Sequence, residues 1–279
     1  MQVSGAHLSQ AVHSDRVYHR SHPRNTRAAM NVLVVTGGSR GIGAEVCRLA
    51  AGRGWSVCVN YDRNAEAAQT VVSDIARVGG RAISAQADIS DPAQVASLFE
   101  KVDRELGLVT GLVNNAAIMG SSGRVEELEA DRTRRMLGVN VLGPFLCCQA
   151  AIKRMAKRYH GSGGAIVNIS SASSRHGGAG GYVDFAASKA AIDVLTIGLA
   201  KEQASEGIRV NCVRPGFIMT EGNAQWEGSH PGWAASMIAR TPIGHPGEPR
   251  DAAAATLWLL SGEAKFITGA ILDVSGGLV

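Results

Sequence analysis

The chain of 279 residues lacks the marks of several protein classes, and each absence narrows its chemistry. Its five cysteines (Cys47, Cys58, Cys147, Cys148 and Cys212) form no Cys-x-x-Cys pair and are odd in number. They read as small buried apolar residues of a reducing, cytoplasmic compartment, which excludes a disulfide framework and a cysteine-rich metal site. Aromatic residues make up only 5% of the chain, and no basic stripe is interleaved with them. The formal charge is +4, of which +3 falls in residues 1–29, where Arg16, Arg20, Arg24 and Arg27 stand against Asp15. The rest therefore carries only +1, which speaks against a nucleic-acid or membrane surface. No apolar run has the length of a bilayer span, and no signal-peptide core precedes residue 31. What remains is a soluble chain whose length and aliphatic content suit one large α/β domain and a single core.

The Gly-x-Gly-x-x-Gly fingerprint is absent too, but residues 31–43, NVLVVTGGSRGIG, carry a related arrangement in which Gly37, Gly41 and Gly43 fall as Gly-x-x-x-Gly-x-Gly. The apolar, mostly β-branched run 32–35 predicts a strand buried on both faces. The glycines after Thr36 allow a tight turn and close approach of a phosphate. Ile42, Val46, Leu49 and Ala50 then repeat at helical spacing, so a helix N-terminus with free N–H groups follows the loop. Glycines gather at turns for structural reasons alone; the flanking strand and helix are what favour dinucleotide binding.

Residues 1–29 are rich in His, Arg and Ser without strand or helix periodicity, and predict a disordered leader or an upstream start, with a targeting peptide as the alternative. Beyond them, further strands are predicted at 56–60, 81–86, 111–114, 165–170, 209–213 and 270–274. Helices are predicted at 65–78, 92–105, 132–158, 183–205 and 249–260. Asp91 before Pro92 supplies an N-cap and a first-turn proline. Repeated βαβ units imply a doubly wound, Rossmann-like parallel sheet of seven strands with helices on both faces in a single domain, and a ligand crevice where the strand order reverses. Residues 217–247, with Met219, Trp226, Trp233 and Met237 among glycines and prolines, predict a long irregular segment, either a lid or an oligomer contact.

Several signatures occur in order: Thr36-Gly-Gly-Ser-Arg-Gly-Ile-Gly43, Asp88, Asn114-Asn-Ala-Ala117, Asn140, Ser170-Ser171, Lys189, Pro215-Gly216, and a terminal Thr268-Gly269, Asp273 and Gly276-Gly277. With them the chain resembles the short-chain dehydrogenase/reductase family over residues 30–279, closest to its sugar-dehydrogenase-like and 3-oxoacyl-reductase-like branches. The resemblance implies hydride exchange between a nicotinamide cofactor and a small carbonyl or alcohol, no metal, and a homotetramer. It places cofactor contacts at Gly37, Ser39, Arg40, Gly41, Ile42, Gly43, Asn60, Arg63, Asp88, Ile89, Asn114, Ala116, Lys189, Pro215, Gly216, Ile218 and Thr220. It also assigns a water-holding role to Asn140, substrate orientation to Ser171, and ribose binding with phenol activation to Lys189.

The family's catalytic tyrosine stands four residues before that lysine, so that both share one helical face. Here the position is Phe185. Tyr182 lies seven residues before Lys189, roughly 10 Å along a helix, too far for its hydroxyl to substitute. The chain therefore reads as an impaired oxidoreductase, through an introduced substitution or a natural change, with a silent nucleotide-binding homologue as the alternative. Cofactor choice turns on the end of the second strand, where an acid holds a ribose 2′-hydroxyl and arginine suits a 2′-phosphate. Asn60-Tyr61-Asp62-Arg63 offers both, and Arg40 in the glycine loop adds a second cation. The balance implies NADP, with NAD possible.

Overall fold

The computed structural model describes residue 1 and residues 31–278; the expected leader lies outside the described residues. The helices are α1 (Gly41–Gly52), α2 (Ala65–Arg77), α3 (Pro92–Glu105), α4 (Ala130–Leu137), α5 (Gly143–Met155), α6 (Ser173–His176), α7 (Val183–Gln203), α8 (Glu221–Ser229), α9 (Trp233–Ala239) and α10 (Pro249–Leu260). The strands are β1 (Val32–Val35), β2 (Ser56–Tyr61), β3 (Arg81–Gln86), β4 (Gly111–Asn114), β5 (Gly164–Ile169), β6 (Ile208–Pro215) and β7 (Ile271–Val274). They form one sheet in the order β3-β2-β1-β4-β5-β6-β7, every pair parallel.

Each central strand serves two cores. Val32 and Val34 of β1 face the layer of α3, α5 and α7, where Phe99, Ala151 and Met155 are buried. Leu33 and Val35 face α1, α2 and α10, where Val46, Val71 and Leu257 are buried. This period-two sharing explains why β1 has no polar residue: both faces are covered. Asp91 caps α3, accepting from Ala93 N at 2.8 Å and Gln94 N at 3.3 Å. The chain leaves β1 in one direction towards β2 and β3, and in the other towards β4 to β7, so the order reverses between the carboxyl ends of β1 and β4.

Three expectations need correction. The single helix expected at 132–158 is two helices, α4 and α5, joined by a π-turn at Gly138–Leu142, with a separate short turn at Lys157–Tyr159. By length and composition the continuous helical stretch Ala130–Met155 is also apolar enough to cross a membrane, contrary to the reading that no run is. Half of its apolar window is buried inside the protein, and Cys147, Ala151 and Met155 spend their apolar surface on the core. The segment 217–247 is likewise not irregular. It holds α8 and α9, and α9 contributes Ala234, Trp233 and Met237 to a small satellite cluster with Phe217, Met219 and Leu278. Trp233 meets Phe217 edge-on at 5.2 Å, and Trp226 stacks on His230 at 3.8 Å.

Candidate functional site

A cleft of about 830 Å³ opens where the strand order reverses, at the large end of the range for small-molecule and cofactor sites. Its floor is stapled by Thr36 at the end of β1. The Thr36 hydroxyl accepts from Asn115 N at 3.0 Å and Ala116 N at 3.1 Å, while the Asn115 side chain donates to the carbonyls of Thr36 and Gly37, each at 3.0 Å. The loops after β1 and β4 are thereby locked together. Gly37 (φ +61) and Gly41 (φ +55) turn in the left-handed region. A Cβ on Gly43 would fall 2.3 Å from the Gly37 carbonyl oxygen, so its place in α1 admits only glycine.

The N-terminus of α1 has no side-chain cap of its own and no acid in its first turn. The Gly41 N–H instead donates to Glu221 Oε2 at 3.0 Å, across from α8. That carboxylate oxygen stands where a phosphate oxygen would, on a helix end whose dipole favours an anion. The glycine cradle and this stand-in anion fit a dinucleotide's pyrophosphate.

At the outer end of the cleft, beyond β2 and β3, charges gather. Asp62 pairs with Arg63 at 3.3 Å and approaches Arg135 of α4 at 3.9 Å. Arg135 donates to Asp88 Oδ2 and to Ser90 Oγ, both at 2.7 Å. Partial burial works to raise the Asp88 carboxyl, but hydrogen bonds from Ser90 and the Arg135 guanidinium outweigh it and hold the group below the usual carboxylate range. Arg40, exposed, lines the same cleft.

At the inner end, Lys189 of α7 is only 4% exposed and donates through Nζ to the Ile169 carbonyl at 2.9 Å. Burial pulls its ammonium down to about 8, against the opposing pull of Cys212 and Asp193. Phe185, one turn earlier, lines the cleft with its ring centroid 5.7 Å from that Nζ. Ser171 lines it too and accepts from Ser173 N at 3.1 Å, while Ser170 binds back to the Lys189 carbonyl at 3.0 Å. Tyr182 sits half-buried at the N-cap of α7 and is not among the cleft-lining residues.

Asn140 lies behind this wall, inside the π-turn. Its side chain accepts from Ile118 N and donates to the Ile118 carbonyl, both at 2.8 Å, and donates to Ser188 Oγ at 3.0 Å. Ser188 in turn donates to the Phe185 carbonyl at 2.7 Å. The π-turn thus ties the loop after β4 to the first turn of α7, a placement often met at functional sites.

Of the residues expected at the cofactor, Gly37, Ser39, Arg40, Gly41, Ile42, Asn60, Arg63, Asp88, Ile89, Ala116, Lys189, Pro215, Gly216, Ile218 and Thr220 all line the cleft. Asn60 does so with its side chain already committed: Oδ1 accepts from Gly37 N at 3.2 Å, and Nδ2 donates to the carbonyls of Ala85 and Ala87 at 3.3 and 3.1 Å. Gly43 and Asn114 do not line it. Asn114 lies beneath the floor, donating to Asn168 at 2.9 Å. Sequence reasoning passed over Arg135 and Glu221, because each reaches the cleft only through the packing of α4 and α8.

The family model for enoyl-(acyl carrier protein) reductases matches residues 37–279. The uncharacterised oxidoreductase YgfF of Escherichia coli strain K12 is 50% identical over 248 residues, spanning 89% of this chain and 100% of that protein. The chain belongs to the short-chain dehydrogenase/reductase family. Among solved short-chain dehydrogenase folds, a blue fluorescent protein from a metagenomic library, crystallised with NADPH, is 36% identical with a TM-score of 0.81, covering 89% of this chain and 98% of that one. A short-chain dehydrogenase from Burkholderia cenocepacia J2315, crystallised with NADP, is 35% identical with a TM-score of 0.81, covering 89% and 97%. This chain places its glycine loop and its buried lysine on one cleft. No ordinary acid residue stands at 185.

Proposed function

We propose that the chain is an NADP-linked oxidoreductase interconverting a carbonyl and a secondary alcohol, impaired because Phe185 stands where the proton donor belongs. The observation that carries this reading is the convergence of the α1 N-terminus, the outer arginines and Lys189 on one cleft with a phenyl ring beside the ammonium. The bound nicotinamide would give or take the hydride. Arg40 and Arg63 would hold the 2′-phosphate, Lys189 the ribose, and Ser171 the carbonyl oxygen. Transfer to a carbonyl leaves an alkoxide that needs a nearby acid, and a phenyl ring has no proton to give. A second reading, nucleotide binding without turnover in an assembly or regulatory role, is favoured by the same ring, which fills the donor's place with a group suited to a cation–π contact.

NADPH is expected to bind more tightly than NADH, and Arg40→Ala to weaken NADPH by about tenfold while sparing NADH, in line with the loss of one charge-assisted hydrogen bond. Fluorescence titration of both cofactors checks this. Equal affinities, unaltered by the substitution, defeat the NADP assignment.

We also propose self-assembly into a homotetramer. Leu142 and Phe145 on one helical stretch, and Val194 and Ile197 on α7, leave apolar surface exposed on neighbouring helices. A patch of this kind on a soluble domain marks an interaction face. Light scattering is expected to give about four times the 29.1 kDa chain mass, and a monomer mass at micromolar concentration would remove the proposal.

A further inference from the structure

We infer that Arg135 sets the preference of this cleft between a 2′-phosphate and a 2′-hydroxyl, by cancelling the acids that would otherwise repel the phosphate. The inference rests on the NADP reading of the cleft and supplies the part that reading leaves unexplained. Asp62, one residue past the end of β2, is the residue type expected to hold a ribose hydroxyl. Left alone, its carboxylate and that of Asp88 would set two negative charges in the cleft against the two proposed phosphate-holding arginines, Arg40 and Arg63, a net of zero. Arg135 changes that sum to +1.

The geometry is specific to this arginine. Arg132 turns away to the buried Asp184 at 3.2 Å, and Arg134 pairs with Asp131 on its own helix. Only Arg135 crosses to the sheet. There its guanidinium touches the Asp88 carboxylate and the Ser90 hydroxyl at 2.7 Å and stands 3.9 Å from Asp62. It is held from three sides, yet its side chain keeps 40% of its exposure and lines the cleft, so its charge is felt by a ligand there. Asp91, three residues past Asp88, spends its carboxylate on the N-terminal amides of α3 and on Gln94. A phosphate monoester brings about −1.5 to −2 charges at pH 7 where a hydroxyl brings none, so one cation more or less at this end acts on NADPH and leaves NADH nearly untouched.

The test measures dissociation constants of NADPH and NADH, by nicotinamide fluorescence at fixed salt, for the full chain and for Arg135→Gln, Arg135→Lys, Asp62→Asn and the Arg135→Gln/Asp62→Asn pair. The ratio of NADH to NADPH constants is expected to fall about tenfold in Arg135→Gln. It should stay within about threefold of the parent in Arg135→Lys, which keeps the charge, rise in Asp62→Asn, and recover most of its loss in the double variant. Should Arg135→Gln fail to fold, the Asp62→Asn and Arg135→Lys ratios carry the same test. A loss shared equally by both cofactors, or a ratio unmoved by any variant, overturns the inference while NADP preference in the parent stands. A parent that prefers NADH overturns the NADP reading instead, and the shift in ratio still decides the role of Arg135.

Discussion

Replacing Phe185 with tyrosine is expected to raise carbonyl turnover with NADPH by about 10² to 10⁴-fold, the usual contribution of one positioned acid. The backbone needed for this is already in place. The Phe185 N–H is anchored to Asp184 at 2.9 Å, its carbonyl to Ser188 at 2.7 Å, and Ser188 to Asn140. The added hydroxyl extends into a cleft from a half-buried position, so it meets solvent rather than a dry core, and the cost in stability should stay below about 1 kcal/mol. The ammonium of Lys189 favours the phenolate and lowers the phenol from its ordinary value of about 10. Steady-state assays of both proteins against sugars, diketones and 3-oxo esters measure the gain. A tyrosine variant that folds and binds NADPH yet stays silent on the whole panel would turn the assignment towards nucleotide binding without turnover.

Lys189→Met is expected to produce opposite changes in stability and in binding. At pH 7 the folded protein carries a protonated ammonium in a buried place, and its descent from 10.5 to about 8 corresponds to roughly 3 kcal/mol of desolvation cost. Methionine has a similar length and no charge, so it removes that cost but leaves the Ile169 carbonyl without its donor, an offset of about 1 to 3 kcal/mol. The net expectation is a variant as stable as the parent at pH 7 or up to about 2 kcal/mol more so, seen as a melting temperature unchanged or a few degrees higher. Between pH 8 and 10.5 the unfolded parent binds the proton that the folded parent has released. The parent therefore gains stability relative to the variant as pH rises through that window, and any advantage of the variant shrinks or reverses. NADPH affinity should fall by about ten- to a hundredfold through loss of a charged donor to the ribose. A variant less stable at pH 7, with a difference that does not move towards the parent at alkaline pH, would show that the ammonium sits there at no cost.

The central strand 32–35 was legible in the sequence because a parallel strand covered on both faces is apolar throughout; 81–86, a partly exposed edge strand, and 111–114 are also found at the predicted residues. The glycine loop was legible for a related reason, since Gly43 faces the Gly37 carbonyl at a distance that no Cβ tolerates. The π-turn was not, because helical spacing of apolar residues continues through Val139, Leu142 and Cys147 while only the hydrogen-bond register changes. α8 buries no residue at all and so shows no apolar stripe, and α9 is only 7 residues long, so neither carries a helical signal in the sequence. Arg132, Arg134 and Arg135 look alike in sequence. Their separate fates, a buried aspartate, a neighbour on the helix and the cleft, follow from what other elements bring within reach.

The bond from Gly41 to Glu221 means that cofactor entry is an exchange of one anion for another, and exchange has a kinetic signature. Molecules with the carboxylate seated cannot take a pyrophosphate at that amide, so the apparent affinity is the intrinsic one scaled by the fraction with the seat vacant. In stopped-flow mixing, the observed rate should therefore level off at high NADPH, at the rate with which Glu221 leaves. Glu221→Gln, which keeps the side chain's size and removes its charge, is expected to raise that plateau and tighten the apparent dissociation constant by several-fold. Rates that climb linearly with NADPH and do not respond to the substitution would show that the carboxylate yields its place without delay.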